Sequence, residues 1–173
     1  MLTWILLCVM LGVIAGLLWF LWTLVQGAPF VPSHRHAIEE VVELAALQPG
    51  ERVAELGSGD GRLAIALARS QPTAIVVGFE INPLLVWVAR RRVRRARVGN
   101  RVSIRRANFW KEDLGQYDVV TVFGIPHVME RLGRQLTRTA RPGSRAVSNA
   151  FPIPGLKLDA RTTRALRYVV PKR

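Results

Sequence analysis

The amino-acid sequence predicts an α/β fold with a mainly parallel sheet, preceded by one N-terminal transmembrane helix. Short strand-like runs alternate along the chain with segments of helical period, which is the order of a parallel sheet covered by helices. The runs 74–80 and 117–124 are largely apolar, as in strands buried on both faces. A chain of 173 residues is long enough for one domain of this kind.

The N-terminal segment is the first element, and it predicts a membrane anchor. Residues 4–25 form an uncharged run of 22 residues. At a rise of about 1.5 Å per residue, such a helix crosses a hydrocarbon core of roughly 30 Å. No Lys or Arg precedes the run, and QGAPF at 26–30 is a poor cleavage site, so we expect a retained anchor. The predicted divisions are an anchor at 1–26, a connecting segment at 27–33 and a domain at 34–173.

The charge distribution predicts on which side of the membrane the domain lies. All 25 Lys and Arg and all 12 Asp and Glu follow the apolar run, giving a net charge of +13. The positive-inside rule then places the domain on the cytoplasmic face. Basic charge is also typical of nucleic-acid binding, but an anchored chain makes the membrane surface the simpler partner. Cys8 is the single cysteine, which excludes an intrachain disulfide, and we expect no metal.

The remaining elements follow from the hydrophobic period and the turn residues. Helices are expected at about 34–47, 61–70, 83–98 and 126–140. Strands are expected at about 52–56, 74–80, 101–109, 117–124 and 144–151. The tail segments LKLDA and ALRYVV are expected to form a terminal antiparallel pair.

The stretch ELGSGDGR at 55–62 predicts a ligand site. It follows a predicted strand and opens a predicted helix, as a nucleotide-binding turn does. Glu80 ends the next strand, where a carboxylate would bind ribose hydroxyls. The alternative is a tight turn without a ligand, because glycine also supplies the positive φ angles that such turns need.

The two acids in this stretch indicate what kind of ligand would bind. Glu55 and Asp60 would repel a pyrophosphate, since like charges about 4 Å apart cost on the order of 1 kcal/mol even in water. S-adenosyl-L-methionine (SAM) carries a ribose, an adenine, an ammonium and a sulfonium, and no phosphate. The turn therefore favours SAM over NAD, with an NAD(P)-dependent oxidoreductase as the alternative.

Several further motifs carry a family resemblance: APFVPS (28–33), GFEINP (78–83), NFW (108–110), VFGIP (122–126) and AFPIP (150–154). With these, the chain resembles the class I SAM-dependent methyltransferases, which have a Rossmann-like sheet. More closely, it resembles the membrane-anchored protein lysine methyltransferases related to those acting on the ATP synthase c subunit and the adenine nucleotide translocase. The resemblance implies SAM-binding residues at Glu55, Gly57, Ser58, Gly59, Asp60, Gly61, Glu80, Asn82, Asn108 and Phe109.

The acceptor is expected to be a lysine of a membrane-associated protein, by the same resemblance. The stretches 29–32 and 123–126 are predicted to form the two walls of an apolar acceptor pocket, with Phe30, Pro32, Phe123 and Pro126 as its residues. An apolar pocket disfavours an ammonium and so favours the neutral amine that attacks the methyl group. A lipid amine, a small molecule or an RNA base are alternative acceptors, and a noncatalytic SAM-binding module is a further alternative.

The arginine run Arg90–Arg97 in the predicted helix at 83–98 has two interpretations. It forms either an ordinary solvated helix face or a surface that docks on anionic lipid headgroups.

Overall fold

The computed structural model describes residues 1–26, 35–124 and 126–171. The chain forms two compact units, Met1–Phe30 and Val31–Arg173. The first contains helix α1, Leu2–Gln26, which carries no charged residue. In the part of the chain that the structure describes, no helix combines the length and the hydropathy needed to cross a membrane. The transmembrane helix therefore stays a prediction, and the predicted connecting segment 27–33 lies outside the described residues.

The second unit is built around a seven-stranded sheet of order β3-β2-β1-β4-β5-β7-β6. The first five strands are parallel, and β7 pairs antiparallel with both β5 and β6. The strands are β1 Arg52–Leu56, β2 Ile75–Glu80, β3 Val102–Arg106, β4 Val119–Val122, β5 Arg145–Asn149, β6 Lys157–Arg161 and β7 Ala165–Val169. The helices of this unit are α2 Arg35–Ala45, α3 Arg62–Ser70, α4 Pro83–Arg95 and α5 Pro126–Thr139.

The core lies in two layers, one on each face of the sheet. Val53 and Val119 are neighbours in register on β1 and β4, and they pack with α2, α3 and α4. The next residues along these strands, Ala54 and Val120, pack with α5 on the opposite face. Because side chains alternate between the faces of a strand, a strand covered on both faces needs apolar residues at successive positions, as at 53–54 on β1 and 119–120 on β4.

The strand order places the carboxyl ends of β1 and β4 at a topological switch point. From β1 the chain continues to β2 and β3 on one side, and then returns to β4 and β5 on the other. A crevice opens at the carboxyl edge where the strand order reverses, and ligands of open α/β sheets bind there. The turns after β1 and β4 therefore meet at one place.

Most predicted elements are shorter in the structure than in the sequence analysis, and α4 and β3 show the physical reason. Helix α4 ends at Arg95, because Arg97 has a left-handed backbone with a φ of 57°. Strand β3 ends at Arg106, because the Asn108 side chain accepts a hydrogen bond from the Trp110 N–H and starts a 3-10 turn, Phe109–Lys111. The predicted antiparallel pair in the tail is present as β6 and β7.

Candidate functional site

The glycine turn connects β1 to α3 and is fixed to the end of β2. The N–H groups of Gly57 and Ser58 both donate to the carbonyl oxygen of Phe79, each at 2.9 Å. Gly57 and Gly61 have φ angles of 74° and 81°, in the left-handed region that favours glycine. A Cβ on Gly61 would lie 3.0 Å from the Cβ of Ala89, whereas a Cβ on Gly57 would meet no heavy atom within 4 Å. Gly61 thus allows α3 to pack against α4, and Gly57 leaves open space at the edge of the sheet.

Glu80 is held against this turn by its carboxylate. Its Oε2 accepts from the Gly59 N–H at 2.9 Å, and its Oε1 accepts from the Asn82 N–H at 2.8 Å. The residue is only 9% exposed. An ionised carboxylate has about four acceptor positions, so both oxygens keep a lone pair for a pair of ribose hydroxyls. The structure therefore brings the predicted ribose-binding residue and the glycine turn together.

Asp60 forms two ion pairs that alter the electrostatic argument made from the sequence. Its carboxylate lies 3.1 Å from the Arg62 Nε and also pairs with the Arg92 guanidinium of α4. Arg92 in addition donates to the Asp60 carbonyl oxygen at 3.5 Å. Because two guanidinium groups face it, Asp60 repels an anion less than a free carboxylate would. The sequence motif alone gives no sign of Arg92, which lies 32 residues further along the chain.

Glu55 is the buried acid of the site. Burial raises the pKa of Glu55 well above its usual range, the nearby Glu80 and Asp60 carboxylates raise it further, and the Ala64 N–H acts in the opposite direction. Its Oε2 has no hydrogen-bond partner among the described residues, and neither does the Oγ1 of Thr121, its neighbour in register on β4. Unpaired buried acceptors are costly, so they suit a ligand that brings donors. The ammonium of SAM is such a donor group, and open space lies beside Gly57 in the same turn.

The remaining predicted cofactor residues lie on the same edge, but some have structural roles as well. The Asn82 Oδ1 accepts from the N–H groups of Leu84 and Leu85 and caps α4. The buried Ser58 has an Oγ without a partner among the described residues. The cofactor contacts of Asn82 and Ser58 stay predictions.

The segment after β3 forms an aromatic wall that the sequence did not reveal in full. Asn108 caps the 3-10 turn, and the rings of Phe109 and Trp110 lie 4.5 Å apart. The Arg131 guanidinium of α5 stacks over the Trp110 ring at 4.1 Å, which is a cation–π contact. Gln135 donates from its Nε2 to the Phe109 carbonyl oxygen at 3.2 Å. These contacts fix Trp110 and the predicted adenine-flanking residue Phe109 to α5.

The predicted acceptor pocket is only partly described. Phe30 and Pro32 lie outside the described residues. Phe123 is half-buried directly after β4, and Pro126 is exposed at the first position of α5. Both lie at the carboxyl edge of the sheet that also carries the glycine turn. Their role in binding an acceptor stays a prediction.

This sheet order, with a glycine turn after β1 and a carboxylate at the end of β2, defines the class I methyltransferases. The particular family follows from sequence comparison. The chain belongs to the family of the ANTKMT methyltransferase domain, whose family model matches residues 55–160. The predicted resemblance is thereby confirmed, and the NAD(P)-dependent oxidoreductase is not supported.

Two curated relatives show how far the similarity extends. The human (Homo sapiens) ATP synthase c-subunit lysine N-methyltransferase is 39% identical over 126 residues, which cover 73% of this chain and 53% of that protein. The protein-lysine N-methyltransferase of Saccharolobus islandicus is 34% identical over 131 residues, which cover 76% of this chain and 81% of that protein. The chain spans about half the length of its human and mouse relatives.

Solved structures confirm the fold. A structure described as an RNA methyltransferase from Salinibacter ruber in complex with S-adenosyl-L-homocysteine has a TM-score of 0.78 and 31% identity, covering 83% of this chain and 95% of that one. A SAM-dependent methyltransferase from Geobacter sulfurreducens, with the same bound product, has a TM-score of 0.58 at 23% identity, covers 70% of this chain and 51% of that one, and shows the fold alone. The predicted α/β methyltransferase fold is confirmed, and the predicted cofactor agrees with these complexes.

Proposed function

We propose that this protein is a SAM-dependent protein lysine N-methyltransferase that is held at the cytoplasmic face of a membrane. The observation that carries the proposal is the glycine turn joined to Glu80 through the Gly59 N–H. It occurs in a chain that is 39% identical to a lysine N-methyltransferase of the ATP synthase c subunit.

In this proposal, described residues hold the ribose, the adenine and the ammonium of the cofactor. The Glu80 carboxylate would hold the ribose, and the Asn108–Phe109 segment would flank the adenine. The unpaired Oε2 of Glu55 would receive the ammonium, and the exposed backbone at Gly57 lets the ligand approach. When bound there, SAM supplies an electrophilic methyl group. The residues of the chain align the donor with the acceptor and keep water away.

The acceptor amine must be neutral in order to attack. A lysine has a reference pKa of about 10.4, so the neutral form at pH 7 lies about 4.6 kcal/mol above the ammonium. An apolar wall reduces this difference, because it disfavours the charged form. Phe123 and Pro126 supply one such wall in this proposal.

The membrane location is supported by the N-terminal unit. Helix α1 has 25 residues and no charge, and Leu2, Trp4 and Leu18 are among its exposed side chains. The absence of charge over residues 4–25 is what supports association of this segment with a membrane. All 25 Lys and Arg follow the helix, and by the positive-inside rule this supports a cytoplasmic domain.

RNA methylation is the second candidate function. It is favoured by the net charge of +13 and by the similarity to the structure described as an RNA methyltransferase. RNA and protein acceptors differ in where the transferred methyl group is found, so one assay separates them.

The test is transfer of a radioactive methyl group from SAM to a membrane fraction of the source cell. Amino-acid analysis of the labelled protein should show methyl-lysine with the wild-type chain. Glu80→Gln should abolish the label, whereas Glu130→Gln, the same substitution at an exposed residue of α5, should retain it. Label in RNA that ribonuclease removes, with no methyl-lysine, would refute the proposal in favour of the second candidate.

A further inference from the structure

Helix α4 presents large apolar side chains on the face that points away from the sheet. Leu84 is 58% exposed and Trp87 is 57% exposed. They share one stripe of the helix with Arg91, at spacings of three and four residues. The Arg91 guanidinium lies over the Trp87 ring, 5.7 Å from its centroid. Large apolar side chains that are exposed next to each other mark an interaction surface.

The charge around this stripe is of one sign. Residues 81–111 contain nine arginines and one lysine, and no aspartate or glutamate. This stretch alone therefore carries ten of the positive charges in a chain whose net charge is +13. Such an imbalance selects an anionic partner.

Some of these arginines have roles within the domain. Arg92 pairs with Asp60, and the Arg90 Nε donates to the Ile104 carbonyl oxygen at 2.9 Å. Arg94 and Arg95 differ, because they are exposed and form no salt bridge with any carboxylate that the structure describes. Their charges are available to an external partner.

We propose that the α4 surface, formed by Leu84, Trp87, Arg91, Arg94 and Arg95, docks on an anionic phospholipid bilayer. A helix face with basic residues beside Trp and Leu is typical of helices that lie in the membrane interface. Tryptophan prefers the headgroup level, and each nearby arginine gains from the negative surface potential. RNA would use the arginines and the Trp87 ring, but it gives the exposed Leu84 no apolar partner, so lipid accounts for more of the surface.

Docking would place the active site beside the membrane. Helix α4 starts at Pro83, directly after the Glu80–Asn82 segment, so Leu84 and Trp87 lie near the carboxyl edge of the sheet. With α4 flat on the bilayer, this edge is separated from the headgroups by about one helix diameter, or about 10–12 Å. The domain would then reach lysines close to the membrane surface. This inference rests on the proposed membrane location, and the experiment below separates the two.

The experiment uses the full chain in nanodiscs and a spin label whose accessibility to oxygen and to a water-soluble nickel complex reports its depth. The label is placed at Leu84→Cys in a Cys8→Ser background. It should be lipid-accessible in an equal mixture of phosphatidylcholine and phosphatidylglycerol, and water-accessible in phosphatidylcholine alone. A label at Glu130→Cys on α5, which packs on the opposite face of the sheet, should stay water-accessible in both. A label on the native Cys8 reports insertion of α1 independently.

Charge-matched variants complete the test. The double variant Arg94→Gln, Arg95→Gln should lower the ratio of docked to undocked domain by about twenty-five-fold, because each arginine contributes about a fivefold preference for the docked state. Arg69→Gln with Arg161→Gln removes the same charge from exposed positions outside α4 and should leave docking unchanged. A water-accessible label at position 84 in the anionic nanodiscs, with Cys8 buried in lipid, overturns the docking proposal and leaves the anchor intact. The proposal is also overturned, in favour of RNA, if an RNA oligonucleotide rather than the bilayer protects the label at position 84 and the Arg94→Gln, Arg95→Gln variant loses this protection.

Discussion

Gly57 and Gly61 lie four residues apart in the same turn and allow a matched pair of substitutions. Both have left-handed φ angles, 74° and 81°, and an alanine in that conformation costs about 1–2 kcal/mol. Only at Gly61 does the new Cβ also press on α4, 3.0 Å from the Ala89 Cβ and 3.3 Å from its Cα. Such overpacking adds about 1–3 kcal/mol. We therefore expect Gly57→Ala to lower the free energy of unfolding by about 1–2 kcal/mol, and Gly61→Ala by about 2–5 kcal/mol.

Gly57→Ala should bind SAM more weakly than Gly61→Ala, although it is the more stable of the two variants. The Cβ at Gly57 enters the open space where we place the cofactor, so Gly57→Ala should weaken SAM binding by about tenfold or more. The assays are urea unfolding followed by circular dichroism and SAM titration by calorimetry, both on the full chain in detergent. Equal losses of stability would refute the packing argument at Gly61. Unchanged SAM affinity in Gly57→Ala would refute the placement of the cofactor.

Three further predictions concern single side chains of the site. Burial raises the pKa of Glu55, so as pH rises the Glu55 carboxyl loses its proton in the unfolded chain before it does in the folded chain. The wild-type free energy of unfolding should therefore fall between the unfolded-state pKa and the folded-state pKa, and should be constant above the latter. Glu55→Gln should remove that slope in urea unfolding measured at a series of pH values, and an unchanged slope would contradict the assignment. Glu80→Gln turns an amide donor toward the N–H of Gly59 or Asn82, so it should lower the free energy of unfolding by about 1–3 kcal/mol and also weaken SAM binding. Urea unfolding and calorimetry measure these two effects, and the control Glu130→Gln should change neither. Phe123→Leu should lower kcat/KM for the protein acceptor by about tenfold in a methyl-transfer assay and leave SAM affinity unchanged, and the reverse pattern would exclude Phe123 from the acceptor wall.

The sequence was sufficient for most of the fold because the local signals agree with the final packing. The largely apolar runs became central strands, and Pro83 and Pro126 open helices α4 and α5 as first-turn prolines do. The ends of elements were less predictable, since they depend on hydrogen bonds from single side chains. The cap from Asn108 to the Trp110 N–H, for example, cut β3 short.

The electrostatics of the site depend on contacts that no local motif contains. Asp60 reads as a free acid in the sequence, but Arg92 reaches it from another helix. Trp110 enters the sequence analysis only within the motif NFW, and the structure adds Arg131 over its ring. Each partner lies more than 20 residues away along the chain, and each contact forms only because the helix that carries the arginine, α4 or α5, packs beside that part of the sheet.

The most direct test of the account is quantitative lysine-methylation proteomics on membranes from a strain of the source organism that lacks this gene. We predict that a methylated lysine of a membrane protein is lost in the deletion strain, is restored by the wild-type chain, and is restored to a lower level by Gly57→Ala. Methylation that is the same in the deletion strain, or that Gly57→Ala restores fully, would contradict the account.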